Sequence, residues 1–210
     1  MYGQMFIYKN QLYSMGNGGD TQAGLPYGNA AVRSNNYPQL VSIAGTAPSG
    51  WSKVVGNYHN ACAISNVGTV YCMGENAGGA LGVGDTTNRY AMTQVTFPTN
   101  AAPITDIVTQ AQFRDNTATN NYSAYYAIDS NGKVWGWGYG GNNELGDGAN
   151  VSRTSPAQMG DAAFQSKTIV KVWSSGYTGQ SLTRQQSALT STGDLYVWGY
   201  QSTPGGLGTG

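Results

Sequence analysis

Four short segments of the chain share one pattern, and internal repetition constrains a fold more than any local motif does. They are "QLYSMG" closing at Gly16, "TVYCMG" at Gly74, "KVWGWG" at Gly138 and "DLYVWG" at Gly199. The closing glycines stand 58, 64 and 61 residues apart. A second element follows each in step: "AGLPYG" around Leu25, "GALGVGD" around Leu81, "NELGDG" around Leu145 and "GGLGTG" around Leu207. A third precedes the later copies as "SKVVG", "ITDIV" and "IVKVW", short β-branched runs of the kind that form strands. Each unit therefore holds about four short strands, and the units run approximately over 1–50, 51–103, 104–167 and 168–210.

Within a unit the second and third strands are expected to form a tight hairpin. "ISNVGTV", "IDSNGKV" and "LTSTGDL" each set a glycine in a short polar turn between β-type residues. The strand after the turn is bulky on both faces. Val70, Val134 or Leu195 lies on one; Tyr71 and Met73, Trp135 and Trp137, or Tyr196 and Trp198 lie on the other. A sheet apolar on both faces must be covered on both, and a blade between two other blades meets that need without helices. The expected fold class is all-β: a β-propeller of four-stranded blades, of which the chain covers about three to four. A β-sandwich is the alternative, but it would alternate apolar and polar positions more cleanly and would not return Gly and Trp to fixed places. Helix is scarce, with single turns such as one near "GDAAFQSK" the most that the pattern allows.

The repeat also disposes of an apparent nucleotide motif. Gly136, Gly138 and Gly141 satisfy G-x-G-x-x-G, but a phosphate cradle needs its glycines to open a helix, and "NNELGDGANVSRTSP" begins none. Gly138 belongs to the repeated strand end, and Trp135 and Trp137 read as packing residues between blades.

These motifs together resemble the regulator of chromosome condensation repeats. The second unit carries "HNACAI", "GTVYCMGEN" and "GALGVGD", the third "GKVWGWG" and "NELGDG", the fourth "GDLYVWG" and "GGLGTG". The resemblance spans nearly the whole chain, and repeats of this kind occur in bacteria and their viruses as well as in eukaryotes. It implies a propeller, typically a ring of seven blades, which needs more chain than this. The first unit starts without its opening strand and the last stops at "GGLGTG", so the chain reads as incomplete at both ends. Completion within a longer protein is favoured over completion by another chain, because a stable repeat array usually ends in a cap. The resemblance further implies the family's best-known activity, guanine-nucleotide exchange on a small GTPase with chromatin binding. Two departures stand out: Met73 replaces the usual Trp, and the family's His before the second strand survives only as His59, the single histidine. His59 reads first as a hydrogen-bonded blade residue, since no second metal ligand stands near it.

Composition narrows the partners. Ten Lys and Arg balance ten Asp and Glu, and charged residues make up 10% of the chain against roughly 25% on average. Without basic clusters, nucleic acid is not an expected partner. No apolar run reaches the roughly 18 residues a bilayer requires, so membrane insertion is not expected. Cys62 and Cys72 stand opposite each other if Ser65 pairs with Thr69. They are expected to be two small buried thiols, a disulfide between them being open only to an oxidising compartment. No nucleophile with its base, no paired carboxylates and no ligand cluster emerge. The expectation is a protein that is not an enzyme and has neither cofactor nor metal, with Asp85, Asp129, Asp147 and Asp194 serving as turn formers.

One face of the propeller is elaborated. Between first and second strands the second unit needs eight residues from Val55 to Ala63, whereas Val108 to Ala127 takes 19 and Val172 to Ala188 takes 16. The added loops bring Phe113, Arg114, Asp115, Tyr122, Tyr177 and Arg184, aromatic and bidentate groups suited to recognition. With Tyr58 and His59 of the short connection they form the candidate ligand-binding set. A protein or a cell-surface glycan is the expected partner, with the chain part of a larger protein or assembly. The low-charge, Gly-, Asn-, Thr- and Tyr-rich composition suggests a virion component such as a tail fibre or adhesin, or another surface-exposed protein. A cytoplasmic exchange factor for a small GTPase is the alternative.

Overall fold

Strand by strand, the chain builds antiparallel sheets that follow the repeat; the computed structural model describes residues 4–17, 34–57, 59–110, 113–114, 121–175 and 184–200. The first sheet holds β1 (Gln4–Tyr8), β2 (Gln11–Asn17) and β3 (Ser34–Leu40) in that order. The second holds β4 (Trp51–Gly56), β5 (Asn60–Ser65), β6 (Val70–Gly74) and β7 (Arg89–Gln94). In the third unit β8 (Ile104–Thr109) is followed by a two-residue ribbon, β9 (Phe113–Arg114) with β10 (Asn121–Tyr122), before β11 (Ala124–Asp129), β12 (Val134–Gly138) and β13 (Arg153–Gln158) complete the sheet. The fourth holds β14 (Ile169–Ser174), β15 (Arg184–Thr190) and β16 (Leu195–Tyr200). The expected single turn of helix is α1 (Ala162–Gln165), capped by the Asp161 carboxylate accepting from the Phe164 amide.

The hairpins close as their polar turns predict. Ser65 N donates to Thr69 O at 2.8 Å, Asp129 N to Lys133 O at 3.0 Å and Thr190 N to Asp194 O at 2.9 Å. Each turn glycine has positive φ, 82° at Gly68, 72° at Gly132 and 92° at Gly193, a conformation glycine adopts without penalty. A side chain at the start of each turn also accepts the amide four residues on: Ser65 Oγ, Asp129 Oδ1 and Thr190 Oγ1. Three residue types thus do one job.

Packing between sheets supplies the core. Cys62, Ile64, Val70 and Leu81 of the second unit meet Tyr125, Trp135 and Trp137 of the third. Ala124, Tyr126, Val134 and Leu145 of the third meet Val172 and Ala188 of the fourth, with Trp198 against them. Leu12 of the first meets Tyr71 and Met73 of the second. The rule is constant: the aliphatic residue that opens the third strand faces the next unit, and the aromatic or Met pair beside it faces the previous one. Trp137 Nε1 reaches back to Ala80 O at 3.1 Å, and Trp198 Nε1 to Glu144 O at 3.0 Å. Both indoles lie over the glycine of a Leu-Gly pair, Gly82 and Gly146, which explains why that pair recurs.

One expectation is corrected. Cys62 and Cys72 do stand opposite each other, but as a disulfide rather than as two thiols. Their Cα atoms are 4.1 Å apart, the close spacing of a cross-strand pair that exchanges no backbone hydrogen bonds, and both are fully buried. Burial in neighbouring strands was legible; the register brings the sulfurs within bonding reach as well.

Candidate binding face

Strands that run outward and back place the first-to-second and third-to-fourth connections of every unit on one face. The ends of the second strands build its floor. Register aligns His59, Ser123 and Arg184, each lying opposite the residue after a strand-closing glycine. Glu75 N donates to His59 O and Tyr139 N to Ser123 O, both at 2.9 Å, while Arg184 pairs with Tyr200. The family's histidine position is therefore occupied by three chemistries. His59 Nδ1 lies 3.5 Å from Glu75 Oε1, and the Arg184 guanidinium sits 5.1 Å from the centre of the Tyr200 ring.

Between the second and third units the floor is a closed polar bracket. Asn57 Oδ1 accepts from the amides of His59 and Asn60 at 3.2 Å each, holding the short connection in a tight turn. Asn57 Nδ2 donates to Ser123 Oγ at 3.0 Å, and Tyr125 OH donates to Asn60 Oδ1 at 2.6 Å. Burial pushes the Tyr125 phenol above its usual pKa of 10.0, which keeps it a neutral donor. Sequence reasoning missed this bracket, because its bonded pairs are separated by up to 66 residues and only the register joins them.

Between the third and fourth units the same position is filled differently. Arg184 is 7% exposed, and its Nε lies 3.3 Å from Oε1 of the fully buried Glu144. Tyr126 OH donates to Glu144 O at 2.7 Å. Expected on a recognition loop, Arg184 instead opens β15 and is turned inward, because the Glu144 carboxylate and the Tyr200 ring both lie beneath it. The Arg184–Glu144 ion pair is thus buried between the third and fourth units.

Of the remaining candidates, Phe113 and Tyr122 are brought opposite each other in the β9–β10 ribbon, with Arg114 opposite Asn121. The ribbon lies beside the 3-10 turn Ala77–Gly79 of the preceding unit, on the same face. Tyr58, Asp115 and Tyr177 lie outside the described residues. His59 lies with its Nδ1 beside the Glu75 carboxylate, and its amide donates to Asn57 Oδ1. Among the described residues no group of three His, Cys, Asp or Glu is gathered as a metal site, and no helix is long and apolar enough to cross a membrane.

On the opposite flank of the blades, where the first strands run side by side, a further cluster appears. Lys53, Asp106 and Lys171 occupy one register position, opposite Ile64, Ile128 and Leu189. The Asp106 carboxylate accepts from Lys53 Nζ through Oδ1 and from Lys171 Nζ through Oδ2 at 2.8 Å. Burial alone would raise its pKa, but hydrogen bonds from Lys171 and Lys53 outweigh that and hold it below its usual 3.8.

The repeated antiparallel sheets of three and four strands, packed face to face, define a β-propeller fold. Residues 131–178, from β12 through β14, match the Regulator of chromosome condensation (RCC1) repeat. It is 27% identical over 150 residues to the Regulator of chromosome condensation of Xenopus laevis, covering 71% of this chain and 32% of that protein. Among solved structures, human WBSCR16 is matched over 95% of this chain and 45% of its own, with a TM-score of 0.69 at 15% identity. Yeast Prp20p, described with its binding properties to Gsp1p and histones, is matched over 99% of this chain and 44% of its own, at a TM-score of 0.59 and 14% identity. The chain thus spans about a third of the length of the curated relative and under half of the solved propellers.

Proposed function

We propose that the chain is a non-enzymatic recognition module that presents the β9–β10 ribbon to a protein partner. The observation that carries this reading is the ribbon itself. The step from first to second strand, eight residues from Val55 to Ala63 but 19 from Val108 to Ala127, makes room in the third unit for paired strands that set Phe113 opposite Tyr122 and Arg114 opposite Asn121 on the loop face. Aromatic and Arg side chains dominate binding energy at protein interfaces, and a hydrogen-bonded ribbon lowers the ordering cost that a free loop would meet. Prp20p, a similar propeller, is described as binding proteins, which supports a protein rather than a glycan partner.

The test replaces residues 111–122 with the short connection of the second unit and compares the two proteins on immobilised small GTPase, histones and a glycan array. Binding to a protein ligand that disappears in the shortened variant, with the melting temperature unchanged, is the expected result. Accelerated nucleotide release from a small GTPase would establish the exchange-factor alternative instead. Glycan binding that survives the shortening would overturn the ribbon reading.

A surface-exposed or virion setting is favoured by one observation besides composition. The Cys62–Cys72 disulfide belongs in an oxidising environment. Quantifying thiols in protein taken from its native source checks this, with two free thiols the contrary outcome.

A further inference from the structure

The polar bracket that closes the junction between the second and third units has a counterpart one unit on, and there it stands open. Backbone bonds and register set the correspondence. Asn57 N donates to Asn60 O and Gln110 N to Ala124 O, so Gln110 takes the place of Asn57, and Ala124 that of Asn60. Tyr125 lies between Thr109 and Trp137, and Gln186 between Ser174 and Trp198, so Gln186 takes the place of Tyr125, and Ser174 that of Thr109. Arg184 stands where Ser123 does.

In the closed bracket every member is bonded. Asn57 Nδ2 donates to Ser123 Oγ and, at 3.2 Å, to Thr109 Oγ1, while Tyr125 OH donates to Asn60 Oδ1. In the open one Gln110 is 2% and Gln186 1% exposed. Yet Gln110 Nε2, both amide atoms of Gln186 and the shielded Ser174 Oγ have no hydrogen-bond partner among the described residues. Ser174 and Gln186 lie two residues along from Val172 and Ala188, on the strand face that packs against the third unit. Two differences account for the missing bonds. Ala124 brings a methyl where Asn60 brings a carboxamide, and Arg184, in place of the Ser123 hydroxyl, is turned to Glu144 instead. A buried polar group without a partner costs stability, and several gathered at one place call for a further polar group to complete them.

We propose that the loop-face end of the junction between the third and fourth units is a socket for a primary carboxamide. The unbonded atoms are two side-chain amide nitrogens, one carbonyl oxygen and one hydroxyl. A carboxamide answers donors and acceptors alike: its oxygen accepts from Gln110 Nε2 and Gln186 Nε2, and its N–H donates to Gln186 Oε1 or Ser174 Oγ. A carboxylate only accepts, which leaves Gln186 Oε1 unanswered. The group received is the one that Asn60 supplies from within the chain at the preceding junction. Gln110 leads into the β9–β10 ribbon, three residues before Phe113. The natural occupant is therefore an Asn or Gln side chain of the protein that the ribbon holds, an identity that rests on the recognition role proposed above; the socket itself does not.

Nuclear magnetic resonance on the isotope-labelled chain tests it, with acetamide, N-methylacetamide and sodium acetate as probes. They mimic an Asn side chain, a main-chain amide and an Asp side chain, and are titrated into the millimolar range where so small a fragment binds. The side-chain amide signals of Gln110 and Gln186 are assigned from their loss in Gln110→Leu and Gln186→Leu. Acetamide alone is expected to move both signals, and to do so saturably. Gln186→Leu is expected to abolish the shift at Gln110 and to raise the melting temperature, since it removes a buried amide that lacks partners. Ala124→Asn, which restores the carboxamide of the closed bracket in the chain itself, is expected to abolish both shifts; should it not fold, Gln186→Leu carries the same test. Signals that stay still, equal movement with acetate or N-methylacetamide, a shift that survives Gln186→Leu, or a lower melting temperature in that variant would each overturn the socket. So would contacts from both amides to long-lived water that acetamide does not displace, which mark ordered water only. No protein ligand is present in this titration, so a ribbon reading that fails leaves the acetamide response in place, and a socket that fails leaves protein binding by the ribbon in place.

Discussion

Gly82 shows how a single residue type can be fixed by its neighbour in the next unit. Its φ is 69°, and a Cβ there would stand 2.7 Å from Trp137 Cδ1. Left-handed backbone costs a non-glycine residue roughly 1–2 kcal/mol, and an added methyl in a packed core typically another 1–3. Gly82→Ala is therefore expected to destabilise the protein by about 3 kcal/mol, read as a lower denaturant midpoint at unchanged slope. Gly193→Ala supplies the contrast. Its Cβ meets nothing within 4 Å, so only the backbone penalty remains and the loss is expected to be about 1–2 kcal/mol. His59 and Arg184 carry a parallel lesson, since one register position sets an imidazole 3.5 Å from the Glu75 carboxylate in one unit and a guanidinium 3.3 Å from the buried Glu144 carboxylate in another.

At the scale of the element, the hairpin of the third unit depends on Asp129. Its carboxylate, 2% exposed, accepts from the amides of Asn131 and Lys133 and from Trp135 Nε1, all at 2.9 Å. Hydrogen bonds to a charged acceptor contribute about 1.5–3 kcal/mol, and an orphaned buried donor adds a desolvation cost. Asp129→Ala is expected to cost about 3–4 kcal/mol, read as a lower midpoint in urea unfolding. The hairpins, their register and the packing role of the tryptophans were legible because turn chemistry and two-residue periodicity are local. The ribbon Phe113–Arg114 with Asn121–Tyr122 was not, since two-residue strands carry no periodic signal. A long connection rich in aromatics is the only trace it leaves.

Across the whole molecule, Asp106 ties three consecutive units through Lys53 and Lys171. Its folded pKa lies below the ordinary 3.8. The stability it contributes is therefore present in full above that value and is lost as pH falls through the lowered folded one. Melting temperature is expected to drop on acidification below about pH 4. Asp106→Asn should lower the melting temperature at neutral pH, where two ammonium groups are left facing each other, and should shrink the acid-induced drop. An acid limb identical in the two proteins would exclude this carboxylate as its source.

By itself the sequence determined the repeat, the strand-turn-strand unit, the need to cover both faces of each sheet and hence the propeller. Those follow from local periodicity, turn residues and the burial of large side chains. Only the tertiary structure decided that Arg184 turns inward to Glu144, that the Asn57, Asn60, Ser123 and Tyr125 bracket closes one junction, that Lys53, Asp106 and Lys171 share a level, and that Cys62 bonds Cys72. The bracket and the Lys53–Asp106–Lys171 level join strands of different sheets that lie more than 50 residues apart along the chain. Pair distances of that kind are set by register and stacking geometry, and no local pattern of residue types encodes them.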